Sequence, residues 1–216
     1  MRRTLFLAEE LALVAINDSG HHALGTRDQL NACLAGLLVA ELVFDGHAHR
    51  GKGDDTLVLA GGRAPESQTL AAAALVVDEK GPKVKAILSH MDRGLTRHLG
   101  HGTRDAAVSG LVEAGVVAEP KSGLRTRYDV IDRGRREAIV TRLQGAVAGD
   151  GPLQPRTALL LSMTGPANLL EVVAPDRGAR RHARHRIDHA LEGSPFEPIG
   201  KAVRKLIAEA MAAAAG

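Results

Sequence analysis

The chain has 216 residues, 44% hydrophobic and 25% charged, which is an ordinary globular composition with enough apolar side chains for a core. Its 2% aromatic content disfavours the stacking platforms that bind single-stranded nucleic acid, and a single cysteine, Cys33, excludes an internal disulfide framework or a cysteine-based zinc cluster. A formal net charge of +3 permits attraction to phosphates without requiring it. We expect an intracellular protein with a single domain over residues 1–216.

Two apolar helices are predicted near the N-terminus. Residues 5–16 are apolar almost all round apart from Glu9 and Glu10, which is typical of a buried helix. Thr26 is a candidate N-cap for a second helix, in which leucines recur at helical spacing over residues 30–42. We therefore place both helices in the central bundle. The predicted core residues are Leu11, Leu13, Leu34, Leu38 and Leu160.

Glycine and proline divide the rest of the chain into short helices and two hairpins. Residues 47–50 and 56–59 flank a turn of Gly, Lys and Asp, which predicts one hairpin, and residues 116–118 and 127–131 flank a basic tip, which predicts another. Helices are expected over residues 66–77, 82–98, 103–114, 134–147, 154–163, 177–191 and 198–214. The longest apolar stretch is too short to span a bilayer. The predicted fold class is mainly α, a single-domain helical bundle with two small β-hairpins.

Clusters of reactive side chains have simpler explanations than catalysis. His182, His185 and His189 could share a helical face, but the arginines around them repel a metal cation. Glu9 and Glu10 point about 100° apart on a helix, so we expect one to face solvent or to cap a partner. No glycine-rich phosphate loop or nucleophile elbow is present. We expect no enzymatic activity, no cofactor and no metal.

Residues 103–132 also fit a DNA-binding pattern. A helix, a glycine and a hairpin with basic residues follow one another there, which is the order of a winged-helix module. A plain structural hairpin is commoner, and most of the chain lies outside the segment. A winged-helix-like DNA-binding regulator is therefore the alternative interpretation, and nucleic acid is a disfavoured partner.

A leucine-rich helix with paired glutamates over residues 5–18 is followed by Ala35-Gly36 and Glu41-Leu42 before Gly46. This combination, with the Leu-Val-Glu-Ala-Gly-Val-Val of residues 111–117, resembles the Golgi phosphoprotein 3 family over residues 4–211. The resemblance implies a non-enzymatic peripheral membrane protein that binds phosphatidylinositol 4-phosphate and, in eukaryotes, serves as a Golgi adaptor. The excess of Arg over Lys with abundant Ala and Gly, which is typical of GC-rich coding, and the lack of a polar N-terminal extension indicate a bacterial member. We expect it to be cytoplasmic and peripheral on the inner face of the membrane.

The resemblance also implies a site for the lipid headgroup. The family has a Trp before its second helix and an Arg within that helix, which fall on Thr26 and Ala35 here. Two further family arginines fall on His101 and Arg104. Only Arg104 keeps the family's residue type, while His101 offers a titratable cation, so that binding is expected to be stronger at about pH 6 than at about pH 8.

Arg97 is a further candidate because it precedes these residues at helical spacing. It would share their face if the helix continued through Gly100 and Gly102, whereas a break at those glycines would present backbone N–H groups to an anion. The predicted headgroup-binding residues are Arg104, His101, Arg97 and Arg27.

Two other segments bear on membrane contact. The hairpin over residues 117–131 corresponds to a family hairpin that enters the bilayer and mediates self-association, but Leu124 is its one apolar tip residue here. We therefore expect surface adsorption that depends on multivalency, with self-association through this hairpin. The competing site for adsorption to an anionic membrane is the basic trio Arg180, Arg181 and Arg184.

Overall fold

A computed structural model describes residues 3–17, 19–21, 27–120 and 126–215. Strands β1 (Ala48–Arg50) and β2 (Leu57–Leu59) form an antiparallel pair, with His49 opposite Val58. Among the described helices, none has the length and apolar character needed to cross a membrane. The helices are α1 (Leu7–Ala15), α2 (Arg27–Phe44), α3 (Gln68–Lys80), α4 (Val84–Leu99), α5 (Thr103–Glu113), α6 (Arg133–Ala148), α7 (Pro155–Thr164), α8 (Leu170–Val173), α9 (Arg180–His189) and α10 (Glu197–Ala215).

Helix α1 lies at the centre of the fold. Every one of its residues is buried, and it contacts α2, α5, α6 and α7. A helix that is apolar on all sides must be surrounded by other elements, as the sequence predicts here. All five predicted core residues are buried, each at most 2% exposed. The central placement of the first two helices and the mainly α fold are confirmed.

The remaining helices follow the predicted segments, with ends that differ by up to three residues. Helix α8 was not predicted, because its single turn is too short to show a helical period. The candidate N-cap Thr26 lies outside the described residues. The first hairpin is confirmed as β1 and β2.

The second predicted hairpin is shorter than expected. Its two arms meet at one bridge, Val117 with Val130, supported by the hydrogen bond from Ala118 N to Asp129 O at 2.9 Å. Tyr128 N donates to Gly20 O at 2.7 Å, so this arm also pairs with the segment after α1. Alternate N–H groups of a strand point to opposite sides, and that of Tyr128 faces away from the first arm. The tip, residues 121–125 with Leu124, lies outside them.

Candidate anion-binding site

The segment that carries the predicted basic residues is broken rather than continuously helical. Helix α4 ends at Leu99, and Gly100 has a φ of +81°, a left-handed conformation that a glycine adopts easily. Arg97 pairs with Glu79 on α3, whose other carboxylate oxygen lies 3.2 Å from His98 Nε2. Arg97 is thus directed to α3, and it does not share a helical face with His101 and Arg104.

The N-terminus of α5 is occupied by a carboxylate of the protein itself. Thr103 N donates to Asp92 Oδ1 at 2.8 Å, and the same oxygen accepts from Asn31 Nδ2 at 3.3 Å. Gly102 allows this approach, because a Cβ there would lie 2.5 Å from Asp92 Oδ1. A negative charge is stabilised at a helix N-terminus. The break therefore does present a backbone N–H to an anion, but the anion is Asp92.

His101 and Arg104 are brought together at a cavity of about 380 Å³, which we name the headgroup cavity. Tyr128 and Asp105 also line it. Arg104 is mostly buried, with 24% of its side chain exposed, and its Nε lies 3.3 Å from Asp105 Oδ1. The wall of one cavity thus carries the Arg104 guanidinium, which is paired with Asp105, and the His101 imidazole.

Tyr128 adds a neutral hydrogen-bonding group to the headgroup cavity. Burial raises the pKa of its phenol, and the negative charge of Asp105 raises it further. The positive charges of Arg104 and Arg27 oppose this rise. The phenol therefore stays protonated at neutral pH and can donate. Arg27, the first residue of α2, is not among the residues that line this cavity, although its charge acts on the Tyr128 phenol. No sequence motif indicated Tyr128, since its contribution depends on where the second arm of the shortened hairpin packs.

Ala35, the position matched to the family's helical arginine, lies elsewhere. It is 2% exposed and lines a separate groove of about 530 Å³ between α2, α4 and α10, which we name the α2–α4–α10 groove. The residues that line the groove and those that line the headgroup cavity do not overlap in the part of the chain that the structure describes. The four matched positions are thus divided: two at the headgroup cavity, one at the groove, and Thr26 undescribed.

Comparison with known families assigns the chain. The sequence profile described as Golgi phosphoprotein 3 (GPP34) matches residues 7–210. The chain belongs to the Golgi phosphoprotein 3 family. No individual curated protein matches it in sequence. The match starts at the first residue of α1 and ends inside α10, so it includes all residues that line the headgroup cavity and all those that line the groove except Met211 and Ala214.

The paired glutamates of this Golgi phosphoprotein 3 protein are structural. Glu9 is 4% exposed; its Oε2 accepts from Phe6 N at 2.9 Å and pairs with Arg3 at 2.8 Å. Glu10 is 6% exposed and pairs with Arg142. The expectation that one of the two faces solvent or caps a partner is wrong: both are buried, and Glu9 caps its own helix.

The competing basic trio on α9 is not uniform. Arg180 is 24% exposed, pairs with Glu171 at 3.0 Å and donates from Nε to Ala174 O at 3.2 Å. Arg181 and Arg184 are exposed.

On the same helix, the rings of His185 and His189 stack with centroids 4.3 Å apart. Within the described ranges, no group of three or more His, Cys, Asp or Glu side chains is placed to hold a metal ion.

Proposed function

We propose that this Golgi phosphoprotein 3 protein is a non-enzymatic peripheral membrane protein that binds an anionic lipid headgroup in the headgroup cavity and acts as an adaptor. The ligand suggested by the family is phosphatidylinositol 4-phosphate. The observation that carries the proposal is the convergence of His101, Arg104 and Tyr128 on one cavity. His101 and Arg104 are also the two residues that match the family's arginine pair.

The chemistry of the cavity suits a phosphate more than a neutral ligand. A phosphomonoester carries nearly two negative charges and is recognised by several charge-assisted donors. Arg104 supplies a permanent cation, His101 a cation when protonated, and Tyr128 a neutral O–H donor. Arg27 contributes positive potential from the start of α2. Asp105, which shares Arg104, and Glu119 both line the cavity and weaken it as a site for a single headgroup.

Because one site of this kind is weak, attachment to a membrane would require more than one copy. A basic residue near an anionic leaflet contributes about 1 kcal/mol, too little for a monomer to attach firmly. Self-association through the hairpin at residues 117–131 would place several headgroup cavities on one surface, and exposed Arg181 and Arg184 would add unspecific attraction. This supports surface adsorption through multivalency.

The DNA-binding alternative has less support. A recognition helix inserts an exposed, usually basic or polar face into the major groove. In α5 the exposed side chains are Asp105 and Glu113, both acidic, and the opposite face of the helix packs on α1, α2 and α4. Repulsion between these acids and DNA phosphates opposes docking.

The test is co-sedimentation with liposomes that contain phosphatidylinositol 4-phosphate, against liposomes matched in total charge with phosphatidylserine. Arg104→Ala should weaken binding to the first by about ten- to a hundredfold and to the second much less, because a charge-assisted hydrogen bond contributes about 1.5–3 kcal/mol. The matched control is the double variant Arg181→Ala with Arg184→Ala, which should weaken both equally.

The proposal fails if Arg104→Ala leaves liposome binding unchanged while the α9 double variant abolishes it. It also fails if the protein ignores both liposomes and binds duplex DNA with an affinity that falls steeply as salt is raised. Circular dichroism of each variant would verify that the helical fold is retained.

A further inference from the structure

Another cavity, of about 510 Å³, lies where the turn after α1, the arm at residues 127–130 and the start of α6 meet. We name it the arginine cavity, because Arg127, Arg133 and Arg136 line it. Among the described residues, Tyr128 is the one that lines both this cavity and the headgroup cavity. The headgroup proposal makes no use of the three arginines.

The turn and the arm are packed closely at the arginine cavity. Tyr128 N donates to Gly20 O at 2.7 Å, and His21 Nδ1 lies 3.0 Å from Thr126 O. Gly20 has a φ of +80° and no side chain, and Arg127 packs on it: a Cβ at Gly20 would lie 3.1 Å from Arg127 Cγ. The turn therefore positions the first part of the Arg127 side chain.

The arginine cavity offers hydrogen-bond donors that the protein itself does not use. The Arg133 guanidinium is exposed and pairs with no described residue. Asn17 Oδ1 accepts from Ser19 N at 3.1 Å and from His21 N at 3.0 Å, whereas Asn17 Nδ2 has no partner in the described part of the chain. Guanidinium and amide N–H groups can only donate, so both residues are suited to a ligand that accepts.

The described residues that line the arginine cavity carry a net positive charge. Asp129 and Glu137 also line it, so three arginines exceed two carboxylates by one charge. Asp129 Oδ1 pairs with Arg127 Nε at 3.3 Å, while 62% of the Arg127 side chain remains exposed. Glu137 is exposed, and it forms no ion pair with Arg133, which precedes it by four residues on α6. An anion is therefore attracted by the arginines and repelled by Glu137.

We propose that the arginine cavity binds a phosphate group, carried either by a lipid or by a small soluble molecule. Guanidinium groups match phosphate oxygens in shape and form short, charge-assisted hydrogen bonds with them. Arg127 and Arg133 belong to separate elements, so a phosphate in the cavity is approached from the arm and from α6. The volume leaves room for the group that the phosphate is attached to. This second anion site does not depend on the headgroup proposal.

The experiment is isothermal titration of the full chain with inorganic phosphate at about pH 8 and constant ionic strength. All proteins carry Arg104→Ala, which removes the main cation of the headgroup cavity. Arg133→Gln should weaken phosphate binding by about three- to tenfold, because it removes a charge-assisted donor. Glu137→Gln should tighten binding by about two- to threefold, because it removes a repelling charge. Both side chains are exposed, so neither variant should disturb the fold.

The matched control is Arg181→Gln, which removes another exposed arginine from a helix and should leave phosphate binding unchanged. Vesicles identify the source of the phosphate. For a lipid, Arg133→Gln weakens binding to phosphatidic acid vesicles more than to phosphatidylserine vesicles of equal charge. For a soluble molecule, Arg133→Gln weakens the binding of inorganic phosphate and leaves both vesicles unaffected.

The proposal is overturned if Arg133→Gln alters neither inorganic phosphate binding nor phosphatidic acid binding. It is also overturned if Glu137→Gln does not tighten the binding that Arg133→Gln weakens, or if acetate binds as tightly as phosphate. Since Arg104 is replaced in every titration, these outcomes do not depend on the headgroup cavity. Failure of the headgroup proposal and failure of this one are therefore distinguishable.

Discussion

Arg156 Nη1 on α7 donates to Glu41 Oε1 on α2 across 2.7 Å, and Glu41 Oε2 accepts from Leu7 N at the start of α1 at 2.6 Å. One carboxylate thus joins three helices at the centre of the fold. Arg156 also lies 3.6 Å from Glu10 Oε1, so the second of the paired glutamates shares the same guanidinium. Glutamates that the family resemblance emphasised are therefore part of a buried ionic network.

Removal of Arg156 should destabilise the protein strongly. Arg156→Met leaves Glu41 without its cation in a site where its side chain is 4% exposed. Breaking a buried pair in this way costs about 3–5 kcal/mol, because the remaining charge is uncompensated. Urea unfolding measures the loss. Arg181→Met, an exposed arginine on α9, is the control and should change stability by less than about 0.5 kcal/mol.

Glu41 should make stability depend on pH. Burial raises the pKa of Glu41, although Leu7 N–H and Arg156 oppose the rise. The folded protein therefore holds this proton more tightly than the unfolded chain, and the resulting stability is fully present below the unfolded pKa of about 4.3 and is lost as pH rises through the folded pKa. The unfolding free energy of the wild type minus that of Glu41→Gln should therefore decrease as the pH rises across that window. A difference independent of pH would contradict this.

Gly94 should be intolerant of alanine, since it lies where α3 crosses α4. A Cβ at Gly94 would lie 2.2 Å from Val76 Cγ2, so the two helices would have to move apart. Overpacking of this kind costs about 1–3 kcal/mol. Gly145 in α6 is the matched control: a Cβ there meets nothing within 4 Å, and Gly145→Ala should stabilise by about 0.5–1 kcal/mol. Thermal melts of both variants test the contrast.

Protonation of His101 should strengthen headgroup binding at about pH 6 relative to about pH 8. Asp105, Glu119 and Tyr128 also line the cavity, and burial raises the pKa of the Tyr128 phenol. The phosphate itself loses charge towards pH 6, which acts in the opposite direction. Liposome titrations of wild type and His101→Gln at both pH values separate the two effects. An identical pH response in the variant would exclude His101.

The headgroup cavity shows when residue spacing in the sequence predicts that side chains lie together. His101 and Arg104, which match a family pair three residues apart, line one cavity although His101 precedes α5, which begins at Thr103. Arg97 was selected on the same spacing across Gly100, where the chain turns into a left-handed conformation. Spacing predicts a shared face only while the helix continues, and two glycines left that question open in the sequence.

The sequence alone determined the mainly α fold, the buried α1 and α2, the β1–β2 hairpin and the family, because hydrophobic period, turn residues and short motifs are local properties of the chain. The tertiary structure alone decided that Arg97 forms an ion pair with Glu79, that Asp92 accepts the N–H at the start of α5 and that Tyr128 lines the headgroup cavity. Each of these depends on residues from separate elements meeting in space. Such meetings are set by how whole helices pack, since the same local pattern is compatible with many different partners.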